Sequence, residues 1–395
     1  MSLRSLLARA ALVALIVAPA VAQTAAPQTA ATSTKPDQRT LALAAGWKAL
    51  FLCSGTFLAG MNESDIAAND LEGGYPELQP HIAALPATIS NSARTVSVGF
   101  DPALAPRVAR YSQGQGCTLL PVGADQAKVM PPVEFIGGPD RKRQDARPWP
   151  QGDAAATAPL PAARRKAVEA VVAKALSGGR YGSAARTSAV LVILDGKIVA
   201  ERYARGVGMH TPQRTWSVAK SLTSALVGRG AALGVIDPMA PAHVPEWGPK
   251  WGTAGDPRAA ITVDQLLRMQ SGLFTNGPGN RTDALYFGGG TVAETAATAP
   301  IESAPGSRFR YANNDTLLAV KAIDNWLSYY PPSDFLAKIG MHHTVVETDS
   351  RGGYILSSQV WTTARDLARF GQLYLEDGKL ASGERVLPEG WRGGV

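Results

Sequence analysis

The stretch Trp216-Ser217-Val218-Ala219-Lys220-Ser221 decides the reading of this chain. It opens an apolar-periodic run from Trp216 to Leu233 that predicts a helix. Ser217 and Lys220 stand at i and i+3, so they share a helix face and the ammonium can reach the hydroxyl. No other Ser-x-x-Lys occurs in the chain. A serine hydroxyl is a weak nucleophile and needs an adjacent base. A lysine can serve once burial or a neighbouring positive group makes it neutral. The helix start also presents free backbone N–H groups, and that of Ser217 can steady an oxyanion. The bland alternative for four such letters is an exposed helix face.

Outward from this helix the pattern is mixed. Upstream, Val190 to Leu194, the pair Asp195-Gly196, and Lys197 to Ala200 predict a β-hairpin, because Asp-Gly accepts the positive φ of a type I′ turn. Arg164 to Leu176 has helical periodicity. Downstream, Ile261 to Met269 predicts a helix with Thr262 as N-cap, and Thr316 to Leu327 and Ala364 to Leu375 predict two more. Strands followed by helices argue for an α/β arrangement, a sheet carrying a separate helical part. Tyr311-Ala312-Asn313 begins 94 residues after Ser217 and follows the turn signal Pro305-Gly306. A tyrosine near a Ser/Lys pair can relay a proton to a leaving group. An asparagine two places on can hydrogen-bond a substrate amide. The alternative is a buried aromatic and a turn residue.

The N-terminal part carries no such chemistry. Residues 1–22 read as a secretory signal peptide: Arg4 and Arg9, the apolar run Ala10 to Val17, and the small-x-small site Ala20-Val21-Ala22. An uncleaved anchor is the alternative. Cleavage would remove two positive charges and no acid, taking the formal charge from +7 to +5. No later stretch has the ~20 unbroken apolar residues of a membrane span. Residues 23–40 read as a flexible mature N-terminus, 41–130 as an accessory region, 131–160 as a linker and 161–395 as the domain that carries the Ser217/Lys220 pair. Within the accessory region, Leu41 to Leu52 predicts a helix and Thr95 to Phe100 a strand. Cys53 and Cys117 are the only cysteines. In an exported chain such a pair is more often bonded than left as two buried thiols.

Together these segments resemble the serine β-lactamase and D-Ala-D-Ala peptidase superfamily. More narrowly, they resemble its class-C-like branch with esterases and 6-aminohexanoate-dimer hydrolases. Trp216 to Ser221 resembles the nucleophile motif, Leu266 to Leu273 a structural signature of the branch, Pro305 to Asn314 the second motif, and Thr362 to Gly371 a later helix. The likeness runs over about residues 160–392. It implies an antiparallel sheet flanked by helices beside an all-helical region, with the site in the cleft between. It implies a Ser217 acyl-enzyme, Lys220 as general base, Tyr311 assisting proton transfer, and Asn313 and Tyr286 as substrate contacts. The third motif, Lys/His-Thr/Ser-Gly, is not among the 395 residues, so the chain reads as cut short, with C-terminal strands and one oxyanion N–H missing.

Other chemistries are disfavoured. Gly-x-Ser-x-Gly is absent, as are His-Glu-x-x-His, cysteine-rich metal spacing and phosphate-binding glycine loops, so no metal or other cofactor is expected. His342-His343 reads as a pair of surface histidines, and Gly288-Gly289-Gly290 as a flexible loop. Arg141-Lys142-Arg143 is the densest basic cluster and reads as solvated linker, so nucleic-acid binding is not expected. Two functions remain. One is an exported hydrolase of a small-molecule or short-peptide amide or ester. The other is a non-catalytic penicillin-binding or sensor-like module, or an inactive fragment.

Overall fold

The Asp37 side chain accepts from the Thr40 N–H and caps α1 (Gln38–Cys53), the first element of the computed structural model. Residues 36–124, 140–154, 157–177, 181–182, 185–248, 255–275 and 282–391 are described. The expected signal peptide, the mature N-terminus as far as residue 35, and residues 131–139 and 155–156 of the expected linker lie outside them. The helical stretch Gln38–Leu58 is long and apolar enough to cross a membrane by length and composition, although no unbroken apolar run marks it in the sequence. Its most apolar window is 67% buried inside the protein, with Trp47, Leu50, Phe51 and Cys53 in the core. Its apolar surface is thus covered by protein, and α1 is a core helix.

Strands β1 (Ala87–Ser90), β2 (Thr95–Val98), β3 (Arg107–Ser112) and β4 (Gly116–Leu119) follow as an antiparallel meander in that order. Helix α1 packs on β2, β3 and β4, and the Cys53–Cys117 disulfide joins its end to β4. Next come α2 (Ala162–Leu176), β5 (Ala189–Leu194) and β6 (Lys197–Tyr203). Asp195 and Gly196 have φ of 49° and 75°, both positive as the predicted type I′ turn requires. Strand β7 (Gln213–Arg214) leads into α3 (Ala219–Ala232). Helix α4 (Val263–Leu267) carries the predicted Thr262 cap as a full capping box with Gln265. Helix α5 (Asn313–Ala322), β8 (Val345–Val346), β9 (Val360–Thr362) and α6 (Ala364–Leu375) complete the fold. The single helix expected over Thr316 to Leu327 breaks at Ile323, whose φ and ψ of −110° and 10° leave the helical region.

Among the described residues the ladders between strands are antiparallel, in keeping with the expected mixed α/β class. Among the described residues the strands form sheets of four, two and three, the last in the order β7-β9-β8. From Asp37 onward the chain is one compact unit with one contiguous apolar core. Gly46 shows how closely its parts approach: a Cβ there would fall 1.9 Å from the Phe287 carbonyl oxygen. Only glycine lets α1 lie against that backbone.

One buried acid joins the N-terminal meander to the later sheet. Glu347, with no exposure, accepts from Ser54 Oγ at 2.6 Å and from the Cys117 N–H at 3.0 Å. Burial pushes its carboxyl up to about 7 from 4.5. Between those values the folded chain holds a proton that the unfolded chain has released, so stability falls as pH rises through this window. Glu347→Gln keeps an acceptor for both donors and removes the titration. Thermal melts from pH 5 to 8 should show the variant gaining on wild type, by roughly 2–3 kcal/mol at the upper end. Parallel curves for the two proteins would overturn this.

Candidate active site

Trp216, just before Ser217, has φ of 48°, a left-handed conformation that costs a non-glycine residue on the order of 1 kcal/mol. The surroundings hold it there. Its ring lies 5.9 Å from both Trp47 and Phe51 of α1, and the Arg214 guanidinium sits 4.1 Å above it. Strand β7 pairs with β9, and the Thr215 N–H donates to the Val360 carbonyl at 2.9 Å. The chain therefore leaves a paired strand, turns sharply at Trp216, and enters α3 through a 3-10 turn, Trp216–Val218. Ser217 is left exposed at the helix start.

Two side chains converge on its hydroxyl. Lys220 Nζ is 3.0 Å from Ser217 Oγ, and Tyr311 OH is 2.7 Å from it. Lys220 donates further to Asn313 Oδ1 at 2.7 Å and to the Ser357 carbonyl at 2.8 Å. Each N–H of the ammonium thus has an acceptor, and none of the three acceptors is anionic. Burial without a carboxylate partner pushes Lys220 down to about 8 from 10.5. About a tenth of it is then neutral at pH 7, against roughly one part in 3,000 for an ordinary lysine. The neutral amine can accept the Ser217 proton along the same 3.0 Å contact.

The remaining expected residues stand differently. Asn313, 8% exposed, uses its carbonyl to hold Lys220 and donates from Nδ2 to Thr282 Oγ1 at 3.3 Å, so its amide is engaged inside the protein. Tyr286, expected on the substrate side, is 2% exposed, and its hydroxyl lies 2.5 Å from Ser357 Oγ. It stands behind the site, beside Ser357, whose carbonyl receives Lys220, and beside Thr282, which accepts from Asn313. Gly289 packs against Leu120 and Arg107, so the triple glycine is part of the packed interior and does not form a cleft loop. Segment Leu266 to Leu273 braces the Tyr311 loop: the Arg310 N–H donates to the Met269 carbonyl, and Gly306 N–H to that of Gln270. Ser271 Oγ donates to Asp315 Oδ1 of α5 at 2.8 Å, fixing the same segment to the helix that begins at Asn313.

The Ser357 carbonyl and Arg214 were not anticipated. A backbone acceptor leaves no mark in a sequence, and Arg214 is one arginine among many. Trp47 carried a faint signal as an aromatic in an apolar helix, with nothing to tie it to Ser217.

The family described as Beta-lactamase matches residues 165–392. The 6-aminohexanoate-dimer hydrolase of Paenarthrobacter ureafaciens is 30% identical over 226 residues, covering 52% of this chain and 56% of that protein. The chain thus spans little more than half the length of this curated relative. Among solved structures, D-alanine carboxypeptidase AmpC from Burkholderia cenocepacia aligns with a TM-score of 0.40 at 21% identity, over 56% of this chain and 67% of that one. A class C beta-lactamase aligns with a TM-score of 0.41 at 16% identity, over 55% and 67%.

Proposed function

This chain belongs to the Beta-lactamase family, and from that premise we propose that it is a serine hydrolase cleaving an amide or ester through a Ser217 acyl-enzyme. The observation that carries the reading is the convergence of Lys220 and Tyr311 on Ser217 Oγ. Neutral Lys220 takes the hydroxyl proton as Oγ bonds to the substrate carbonyl carbon. The Ser217 N–H, at the helix start, steadies the oxyanion. Tyr311, held beside both groups, passes the proton to the leaving amine or alcohol as that bond breaks. Water then attacks the acyl-enzyme, releasing the acid and restoring Ser217. Asn313 and the Ser357 carbonyl keep the lysine aimed throughout.

Residues 161–395 form the hydrolase part in this reading, and 41–130 an accessory layer that supports the turn at Trp216. The disulfide suits an oxidising compartment, so the protein works outside the cytoplasm. Its substrates are small amides or esters. The curated relative's name puts linear amides such as the 6-aminohexanoate dimer first on a panel with D-Ala-D-Ala peptides, β-lactams and simple esters.

The test is covalent capture. A fluorophosphonate probe should label the folded protein once per chain, with the adduct on the peptide carrying Ser217. Labelling together with turnover of one panel member supports the hydrolase. A stable penicillin adduct with no turnover would make the chain a binding module, and no adduct on folded protein would overturn the reading altogether.

A further inference from the structure

None of the side chains that meet Ser217 belongs to a second ionisable cluster, drawn from four separate stretches. Asp145 ends the short helix Arg141–Asp145, and Asp153 follows Gly152 in the next loop. His210 lies between β6 and β7, and His343 two residues before β8. One ligand atom from each falls within 4.8 Å of all the others. His343 Nε2 is 2.7 Å from Asp145 Oδ1, and His210 Nε2 is 2.8 Å from Asp153 Oδ2 and 3.9 Å from Asp145 Oδ2. The imidazole rings stack at 4.3 Å with 11° between their planes. The expectation of two surface histidines at 342 and 343 does not describe His343, whose side chain is 11% exposed and faces Asp145.

The surrounding charges leave a deficit of positive charge there. Arg365 pairs with Glu201 at 2.5 Å, and Arg369 with Asp366 at 2.8 Å. Both arginines also touch Asp153, at 3.4 and 2.7 Å, but through Oδ1, so its Oδ2 stays turned towards His210. Each arginine is matched by a carboxylate of its own. Asp145 and Asp153 together then carry two negative charges against two imidazoles, which is the charge of a divalent cation. The arginines hold the Asp153 carboxylate from behind, as the supporting bonds of metal sites do, and Asp366 fixes the backbone at His343 by accepting from its main-chain N–H.

We infer that Asp145, Asp153, His210 and His343 bind a divalent transition-metal ion, Zn2+ by donor set. Two imidazole nitrogens and two carboxylate oxygens suit Zn2+ and disfavour Ca2+ and Mg2+, which take oxygen ligands. Tetrahedral Zn2+ with bonds near 2.1 Å needs donors about 3.4 Å apart, and the observed separations bracket that spacing. Four protein ligands close the coordination shell, so the ion is structural and not catalytic. It would clamp residues 145–153 and the His210 loop onto the turn before β8. That loop runs directly into β7 and the nucleophile.

The test uses tag-free full-length protein stripped with a chelator. Zn2+ titrated in chelator competition should bind at one ion per chain with micromolar or tighter affinity, and should raise the melting temperature. Co2+ should give the intense visible bands of tetrahedral coordination, and excess Ca2+ or Mg2+ should not displace it. His210→Ala and His343→Ala should each weaken Zn2+ at least tenfold and remove the thermal shift. His210 is 42% exposed on its side chain, so its variant will fold even if the buried His343 variant does not. Wild-type affinity in His210→Ala, or less than one tenth of an equivalent of Zn2+ bound at micromolar concentration, would overturn the inference.

Discussion

Lys220→Ala should slow acylation of Ser217 by about 10³-fold or more while leaving the protein folded, and Ser217→Ala should abolish it. A positioned general base contributes roughly 10²–10⁴ in rate. Lys220 also orders Ser217 by hydrogen bond, so its removal takes both effects at once. Measuring the rate of probe attachment separates the variants, and a residual wild-type rate in Lys220→Ala would remove Lys220 from the role of base. The pH profile gives a second reading. With the lysine near 8, acylation should rise about tenfold per pH unit below that value and level off above it. A rate flat between pH 6 and 9 would show that no lysine proton is being lost.

Stability should respond to the same substitution much less. A lysine lowered in the folded state is costly to hold protonated, and that cost is present below pH 8. Losing the ammonium removes the cost. It also strips a donor from Asn313 Oδ1 and the Ser357 carbonyl, which runs the other way by about 1–3 kcal/mol for each buried acceptor left bare. The two effects oppose, so Lys220→Ala should melt within a few degrees of wild type. A collapse in melting temperature would mean that Lys220 is chiefly a structural tie.

The parts of the fold legible in sequence are those whose signal is local. Asp195-Gly196 marks its hairpin because two positive φ angles in succession need such residues. Thr262 marks α4 because its cap partner lies three residues on. Ser217 and Lys220 read as a pair for the same reason, one turn of helix apart. Non-local pairings escaped. Strands β7, β8 and β9 are two or three residues long, too short for any alternation, yet they aim the turn at Trp216. The meander β1 to β4 showed only one of its strands. The tie between Asn313 and Lys220, 93 residues apart, cannot be seen from a motif. The burial of Tyr286 beside Ser357 escapes too, because a loop aromatic looks the same in sequence whether it lines a cleft or lies behind one.

Removing the disulfide, by reduction or as the Cys53→Ala/Cys117→Ala double variant, should cost about 4 kcal/mol and lower the melting temperature by about 5 °C. The bridge spans a sequence separation of 64, and cross-linking so long a loop strongly restricts the unfolded chain. Both sulfurs are fully buried, so the alanine variant also leaves a small void. The consequence reaches Ser217 through α1. The helix that ends at Cys53 carries Trp47 and Phe51 against Trp216, and it is this packing that sustains the left-handed turn before the nucleophile. Ser54 and Cys117, at the two ends of the bridge, both donate to Glu347, so loosening one end also frees a buried carboxylate shared with the later sheet. Since the apolar core is contiguous, probe labelling of Ser217 in the double variant should disappear at the lowered midpoint, together with the signal for unfolding. Labelling that outlasts the melting of α1 would show that the nucleophile's turn stands without its N-terminal support. An unchanged midpoint would show that Glu347 and the core hold α1 to β4 without the bond.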